Sequence, residues 1–160
     1  MNIYHARLAT PFAVLGIVAE GDFLVAIDFL PLDSGAMEPQ NPLAREVCEQ
    51  LSAYLADPHF RFDLPLHPRG TPFRQQVWSA LRQIPVGRTE SYGSLAKQLG
   101  SAPRAVGQAC GANPIPLVIP CHRAVGARTL GGFMHHHDGG PLLIKRWLLE
   151  HEHAYPRSAG

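Results

Sequence analysis

Ser91-Tyr92-Gly93-Ser94-Leu95-Ala96-Lys97-Gln98-Leu99-Gly100-Ser101-Ala102-Pro103-Arg104-Ala105-Val106-Gly107-Gln108-Ala109-Cys110-Gly111 reads as two short helices and the turn between them. Ser91 can cap the first helix, whose Tyr92, Leu95, Ala96 and Leu99 recur at helical spacing, and Gly100 supplies the stop. Ser101 is placed to cap a second helix, Ala102 to Gly111. This is the pattern of a helix-turn-helix, a pattern shared by many αα-hairpins that bind nothing. The second helix is unusual in its lack of bulk: Ala105, Gly107, Ala109, Gly111 and Ala112 surround Arg104 and Gln108. So thin a helix can come close to another surface, either a nucleic-acid groove or a tightly packed neighbouring helix.

Downstream, Asn113-Pro114 ends that helix, and the apolar run Ile115 to Ile119 leads to Pro120-Cys121-His122-Arg123-Ala124-Val125. A thiol beside an imidazole and a guanidinium has the ingredients for a lowered thiol pKa, and the thiolate is the nucleophile. The competing reading is a buried structural cysteine beside two surface residues. A loop from Gly126 to Gly140 follows, then a helix from about Pro141 with an apolar face that would pack on the core. Glu152, at its end, reaches an imidazole only if the fold brings it to His122. Three consecutive histidines, His135 to His137, invite a metal reading, but no Cys or carboxylate pattern at ligand spacing accompanies them, and we expect neither a metal nor a cofactor.

Upstream, Thr71-Pro72 opens a scaffold helix with Phe73, Val77, Leu81 and Ile84 on one face, and Pro65 to Gly70 reads as a linker. We therefore expect two domains, residues 1–68 and 69–160. The first reads as a small α+β unit: strands near 3–9, 13–19 and 23–30, a hairpin turn at Glu20-Gly21-Asp22, a helix over 43–56 and one more strand from Phe60 to Leu66. Its Cys48 belongs to the core or flank of that helix. A 160-residue chain that is 46% hydrophobic and 17% charged can bury a real core without needing disorder. No apolar run is long enough for a bilayer and the start is not a secretory signal, so a cytoplasmic protein is expected. Three cysteines without framework spacing fit a reducing compartment. The net charge of +1 hides an asymmetry: residues 1–68 carry three basic against nine acidic groups, and residues 69–160 eleven against four. Between Arg69 and Arg128 the only carboxylate is Glu90, so this half would attract a polyanion. Two domains held by complementary charge would give the same asymmetry.

The segment from Gly70 to about Glu152 resembles the DNA-binding and active-site domain of the O6-alkylguanine-DNA alkyltransferases, also called methylated-DNA–protein-cysteine methyltransferases. The matching pieces are Thr71-Pro72-Phe73 with Val77-Trp78, Ile84-Pro85 with Gly87, Ser91-Tyr92-Gly93 with Leu95-Ala96, Arg104-Ala105-Val106-Gly107, Asn113-Pro114, Ile119-Pro120-Cys121-His122-Arg123, and Lys145 with Trp147-Leu148-Leu149. They run in order over about half the chain; the first 65 residues fit only loosely. The resemblance implies a small ribonuclease H-like α/β domain followed by a mostly helical, winged-helix-like domain. It implies single-use repair of double-stranded DNA containing O6-alkylguanine, with O4-alkylthymine as a second candidate lesion: Cys121 takes the alkyl group and keeps it. His122 would act through a water as base, Glu152 would orient His122, and Asn113 would brace the turn. Tyr92 would press on the DNA backbone and donate to the leaving guanine, and Arg104 would fill the gap left by the flipped base. Ser91, Ala105, Gly107, Gln108 and Arg123 complete the implied DNA surface, and Phe133, Met134, Cys110 and Lys145 the base pocket.

The sequence departs from the family after the nucleophile. Gly132-Phe133-Met134-His135-His136-His137-Asp138-Gly139-Gly140 is longer by a few residues, Phe133 keeps an aromatic wall without a hydroxyl, and Met134 lacks a side-chain donor. Cys110 stands where a bulkier apolar side chain is common, which would leave a roomier pocket. Three other classes fit parts of the chain. An alkyltransferase-like lesion-binding protein transfers nothing, but that group lacks the nucleophilic cysteine present here. A winged-helix regulator would leave Cys121, His122 and Glu152 idle, and a cysteine hydrolase would turn over. With no obvious association seam, a monomer is expected.

Overall fold

The computed structural model describes residues 3–127, 130–134 and 140–154. The His135–His137 run lies outside them. They form a mixed α/β fold of small sheets and five α-helices, in two compact units: residues 1–69 with 114–116, and residues 70–113 with 117–160.

The first unit is built on an antiparallel sheet in the order β1 (Ala6–Ala9), β2 (Val14–Glu20), β3 (Phe23–Leu30). β2 is the middle strand and is buried along almost its whole length, as a run of Val, Leu, Ile and Ala with a central glycine demands. Gly16 pairs with Asp28, and the ring of Tyr4 occupies the space its side chain would need, with the Tyr4 hydroxyl donating to Asp28 at 2.7 Å. α1 (Pro42–Ala56) starts at Asn41, whose side chain accepts from Ala44 N–H, and buries Ala44, Val47, Leu51 and Tyr54. The strand expected over 60–66 does not form. The segment meets the sheet only at Leu66, bridged to Leu24, because Gln50 at the side of α1 takes both the N–H and the carbonyl of Asp63.

In the second unit α2 (Pro72–Leu81) begins at Thr71, whose hydroxyl accepts from Arg74 N–H, and Trp78 donates its indole N–H to the Ala109 carbonyl at 2.8 Å. α3 (Tyr92–Leu99) is capped by Ser91 and stopped by Gly100 in the left-handed conformation. The second helix, α4 (Pro103–Gly111), begins one residue later than expected. Ala102, not Ser101, is its N-cap and offers no side-chain acceptor. The cause is Pro103, which pushes the residue before it into the extended region and fits the first helical position. Two elements have no signature in the sequence pattern: the parallel pair β4 (Glu90–Ser91) and β5 (Ala124–Val125), and a 3-10 turn over Cys121–Arg123. β4 leads directly into α3 and β5 directly follows the 3-10 turn, so their pairing fixes Tyr92 relative to Cys121. α5 (Gly140–His151) closes the unit with Lys145, Leu148 and Leu149 buried. Among the described residues no helix is long and apolar enough to cross a membrane.

Candidate active site

A cavity of about 540 Å³ in the second unit is lined by Tyr92, Pro103, Arg104, Gly107, Gln108, Cys110, Gly111, Cys121, Gly132, Phe133 and Met134. α4 contributes Pro103, Arg104, Gly107, Gln108, Cys110 and Gly111; four of these, Arg104, Gly107, Gln108 and Gly111, are spaced i, i+3, i+4 and i+7, a stripe in which two of the four positions carry no side chain. Ala105 lies off that stripe, and Ser91 is part of its own helix cap, accepting from Ser94 N–H at 3.0 Å. Arg104 and Gln108 are exposed, and Cys121 is 3% exposed, so the wall grades from solvent to a nearly dry thiol.

Local hydrogen bonds set the position of the thiol. Cys121 N–H bonds the Ile119 carbonyl at 2.8 Å, and the same carbonyl accepts from the buried Asn113 side chain at 2.8 Å. The turn leading in holds Leu117 at φ 73°, a left-handed conformation that a leucine adopts at a cost of about 1 kcal/mol. The Asn113 side chain and the Cys121 backbone N–H therefore share one carbonyl.

Behind the thiol, His122 is fully buried and its Nε2 stands 2.8 Å from Glu152 Oε2. The carboxylate accepts, so Nε2 carries the proton and Nδ1 is the lone-pair nitrogen. Nδ1 is buried and makes no hydrogen bond among the described residues. Glu152 follows α5 immediately, and the chain then turns through His153 at φ 57°, with Ala154 N–H returning to the Leu149 carbonyl. Burial pushes the Glu152 carboxyl up, but hydrogen bonds and charge from His122 and Arg123 outweigh it and hold the group well below the usual carboxylate range. Burial pushes the His122 imidazole down, against the pull of Glu152, so it rests neutral.

Three expectations are corrected here. The thiol does not rest at a lowered pKa: burial pushes Cys121 up to about 11, only partly offset by the Asn113 hydrogen bond and the Lys145 charge, because its neighbouring imidazole is uncharged. Arg123 does not present its guanidinium to DNA. Its Nε and one terminal nitrogen hold the two oxygens of Glu152 at 2.8 and 3.0 Å, and the other terminal nitrogen donates to the Ile84 carbonyl at 2.7 Å. Lys145 is not part of the cavity lining. Fully buried behind it, its ammonium donates to the carbonyls of Ala124 and Gly132 at 2.7 and 2.8 Å and reaches the Tyr92 hydroxyl at 3.4 Å. Burial pushes Lys145 down to about 8, opposed by the thiols of Cys121 and Cys110.

Tyr92, Phe133, Met134 and Cys110 do meet at the cavity. Burial, then the two thiols, push the Tyr92 phenol above its ordinary range, and burial carries Cys110 to about 12. Sequence reasoning missed Gly131, Gly132 and the Ala124 and Ile84 carbonyls. Gly131 sits at φ 74°, and a Cβ there would lie 2.7 Å from the Tyr92 ring. The Gly131-Gly132 doublet was the available signal for it; backbone carbonyls leave no signal at all. Among the described residues no group of three His, Cys, Asp or Glu is placed to hold a metal ion.

Residues 72–154 match the family model described as the 6-O-methylguanine DNA methyltransferase, DNA binding domain. A methylated-DNA–protein-cysteine methyltransferase of Methanosarcina acetivorans is 35% identical over 158 residues, covering 94% of this chain and 98% of the relative. The crystal structure of the Mycobacterium tuberculosis O6-methylguanine methyltransferase is 35% identical and superposes with a TM-score of 0.79 over 98% of this chain and 97% of that one. A crystal structure of Mycobacterium tuberculosis OGT in complex with DNA is 37% identical, with a TM-score of 0.78 over 94% and 93% of the two chains.

Proposed function

This chain belongs to the methylated-DNA–protein-cysteine methyltransferase family, and from that premise we propose a single-use DNA repair reaction carried by Cys121. The substrate is duplex DNA containing O6-alkylguanine, and the activity is direct reversal. The observation that carries the reading is a thiol at the wall of a cavity, backed by an imidazole whose one nitrogen is held by a carboxylate and whose other is open.

The chemistry follows from the resting protonation states. A thiol held near 11 is protonated at neutral pH, so it must lose its proton as it reacts. His122 takes that proton on Nδ1 through a water, and the imidazolium so formed is stabilised by the Glu152 carboxylate already on Nε2. Lys145, largely charged at neutral pH, favours the thiolate from behind. Sγ then attacks the alkyl carbon in line: the S–C bond forms, the C–O6 bond breaks, and its electron pair stays on the guanine. The purine takes a proton from the Tyr92 hydroxyl, the Tyr92 phenolate regains one from solvent and the His122 imidazolium gives up the one it took, so that in net terms one proton has moved from the thiol to the guanine. The thioether is stable and no group regenerates the thiol, so each molecule acts once.

The lesion must leave the stack to reach a thiol this deep, at a cost of a few kcal/mol. Arg104, exposed on the face of α4 that lines the cavity, fills the gap, and the bare positions Gly107 and Gly111 let the helix approach a minor groove. α2, α3 and α4 with the β4–β5 pair are read as a winged-helix-like DNA-binding domain, residues 69–160. The sheet of β1 to β3 with α1 is read as a reduced ribonuclease H-like domain, residues 1–68.

The test is intact mass and peptide mapping after incubation with excess duplex carrying one O6-methylguanine. One methyl on Cys121, once per molecule and absent from Cys121→Ala, is the expected result. Binding without methyl gain would overturn transfer, and turnover beyond one equivalent would overturn single use.

A further inference from the structure

Glu152 is held by both His122 and Arg123, and only His122 belongs to the reaction as described. His122 Nε2 lies on Oε2 at 2.8 Å; Arg123 lies on both oxygens, at 2.8 Å to Oε1 and 3.0 Å to Oε2. The guanidinium is itself fixed, because its remaining terminal nitrogen donates at 2.7 Å to the carbonyl of Ile84, the residue just beyond α2 whose own N–H is tied to Leu81. The fork is rigid and planar, so it dictates the plane of the carboxylate as well as its position.

We propose that Arg123 is a positioning residue for alkyl transfer: it clamps the Glu152 carboxylate against Nε2 of the His122 imidazole and shares its negative charge, so that Nδ1 rests open as a proton acceptor for Cys121. The inference rests on the repair reading and assigns to Arg123 a role inside the protein rather than on DNA. The physical argument is one of competition. A carboxylate facing a buried imidazole with no other partner draws a second proton onto the ring, and a ring that already holds two protons cannot take one from a thiol. The charged and titratable groups that face His122 are Glu152 after α5, Lys145 within α5, and Arg123 on its own turn. Both cations oppose protonation of the ring and Glu152 favours it. Arg123 is the cation in direct contact with the carboxylate, so its removal acts on the imidazole most directly.

The experiment compares wild type, Arg123→Gln and Arg123→Lys in two readouts. The first is the titration of His122 followed by NMR of the imidazole in the folded, DNA-free protein. The second is the pH profile of single-turnover methyl transfer from O6-methylguanine duplex, with DNA affinity measured alongside. Expected for Arg123→Gln is a His122 titration moved up by about one pH unit, with the acid limb of the rate moving equally, so that the rate is down about tenfold at pH values below both titrations, less at neutral pH, and recovered at higher pH. Arg123→Lys keeps the charge and loses the fork; it should leave the titration near wild type while lowering the plateau rate. A rate loss with neither titration nor profile displaced would make Arg123 merely structural and overturn the proposal. So would weaker DNA binding with a reduced salt dependence and an unmoved profile, the mark of a phosphate contact. If wild type itself transfers nothing, the repair reading fails, and the NMR titration still decides whether Arg123 governs His122.

Discussion

Cys121 and His122 are adjacent in sequence, yet the imidazole offers the thiol no positive charge, because both side chains are buried and the imidazole rests neutral. The resting state of that imidazole depends in turn on a group thirty residues away, Glu152, and on what holds it. The carboxylate's folded pKa lies below its unfolded value, so its stabilisation is complete above about 4.5 and is lost as pH falls from there towards the folded value. Glu152→Gln should cost about 3 kcal/mol at pH 7, since it leaves the Arg123 guanidinium buried without a counter-charge, and the gap to wild type should close as pH drops below about 4.5. Denaturant midpoints of the two proteins at pH 7 and pH 3.5 check this. An equal gap at both values would mean the carboxylate charge contributes nothing.

At the scale of elements, the site depends on how Tyr92 is presented. Ser91 caps α3 while its backbone pairs with Val125 just after the nucleophile turn, so one residue serves both the helix start and the sheet. Ser91→Ala should lower stability by about 1 kcal/mol through the lost cap, with a smaller effect on the strand pair, whose bonds are backbone. The loop at Gly131 is less forgiving. A side chain there meets the Tyr92 ring at 2.7 Å and the Gly126 nitrogen at 3.1 Å, with φ at 74°. Gly131→Ala should cost roughly 1–3 kcal/mol and slow methyl transfer by displacing Tyr92; thermal melts and single-turnover rates measure both. A mutant with wild-type rate would show that Tyr92 need not stay where it lies. The caps at Ser91, Thr71 and Gly100 were legible because capping is local chemistry. The cap expected at Ser101 failed for an equally local reason, the proline two residues on, whose constraint on Ala102 outweighs a favourable serine.

For the whole molecule the charge asymmetry is a prediction about binding. With eleven basic groups against four acidic ones in residues 69–160, affinity for duplex DNA should fall with salt along a log-log slope of roughly −2 to −5, the release expected for a few neutralised phosphates. A slope near zero would place the DNA surface elsewhere. Much of this protein was readable before any fold was in hand. Periodicity marked the helices, Gly100 and Asn113-Pro114 their ends, and the spaced pieces from Thr71 to Leu149 the family and its chemistry. Those features are readable because each depends on residues within a turn or two of one another. The thiol's raised pKa, the internal use of Arg123, the withdrawal of Lys145 behind the cavity wall and the parallel pairing of β4 with β5 were not. Each of them depends on burial or on a backbone carbonyl, such as those of Ile84, Ala124 and Gly132, that every sequence possesses and none advertises. The sequence by itself determined the family and the candidate reactive groups; only the tertiary structure decided their charge at rest, because desolvation and partnership arise when distant segments close around them.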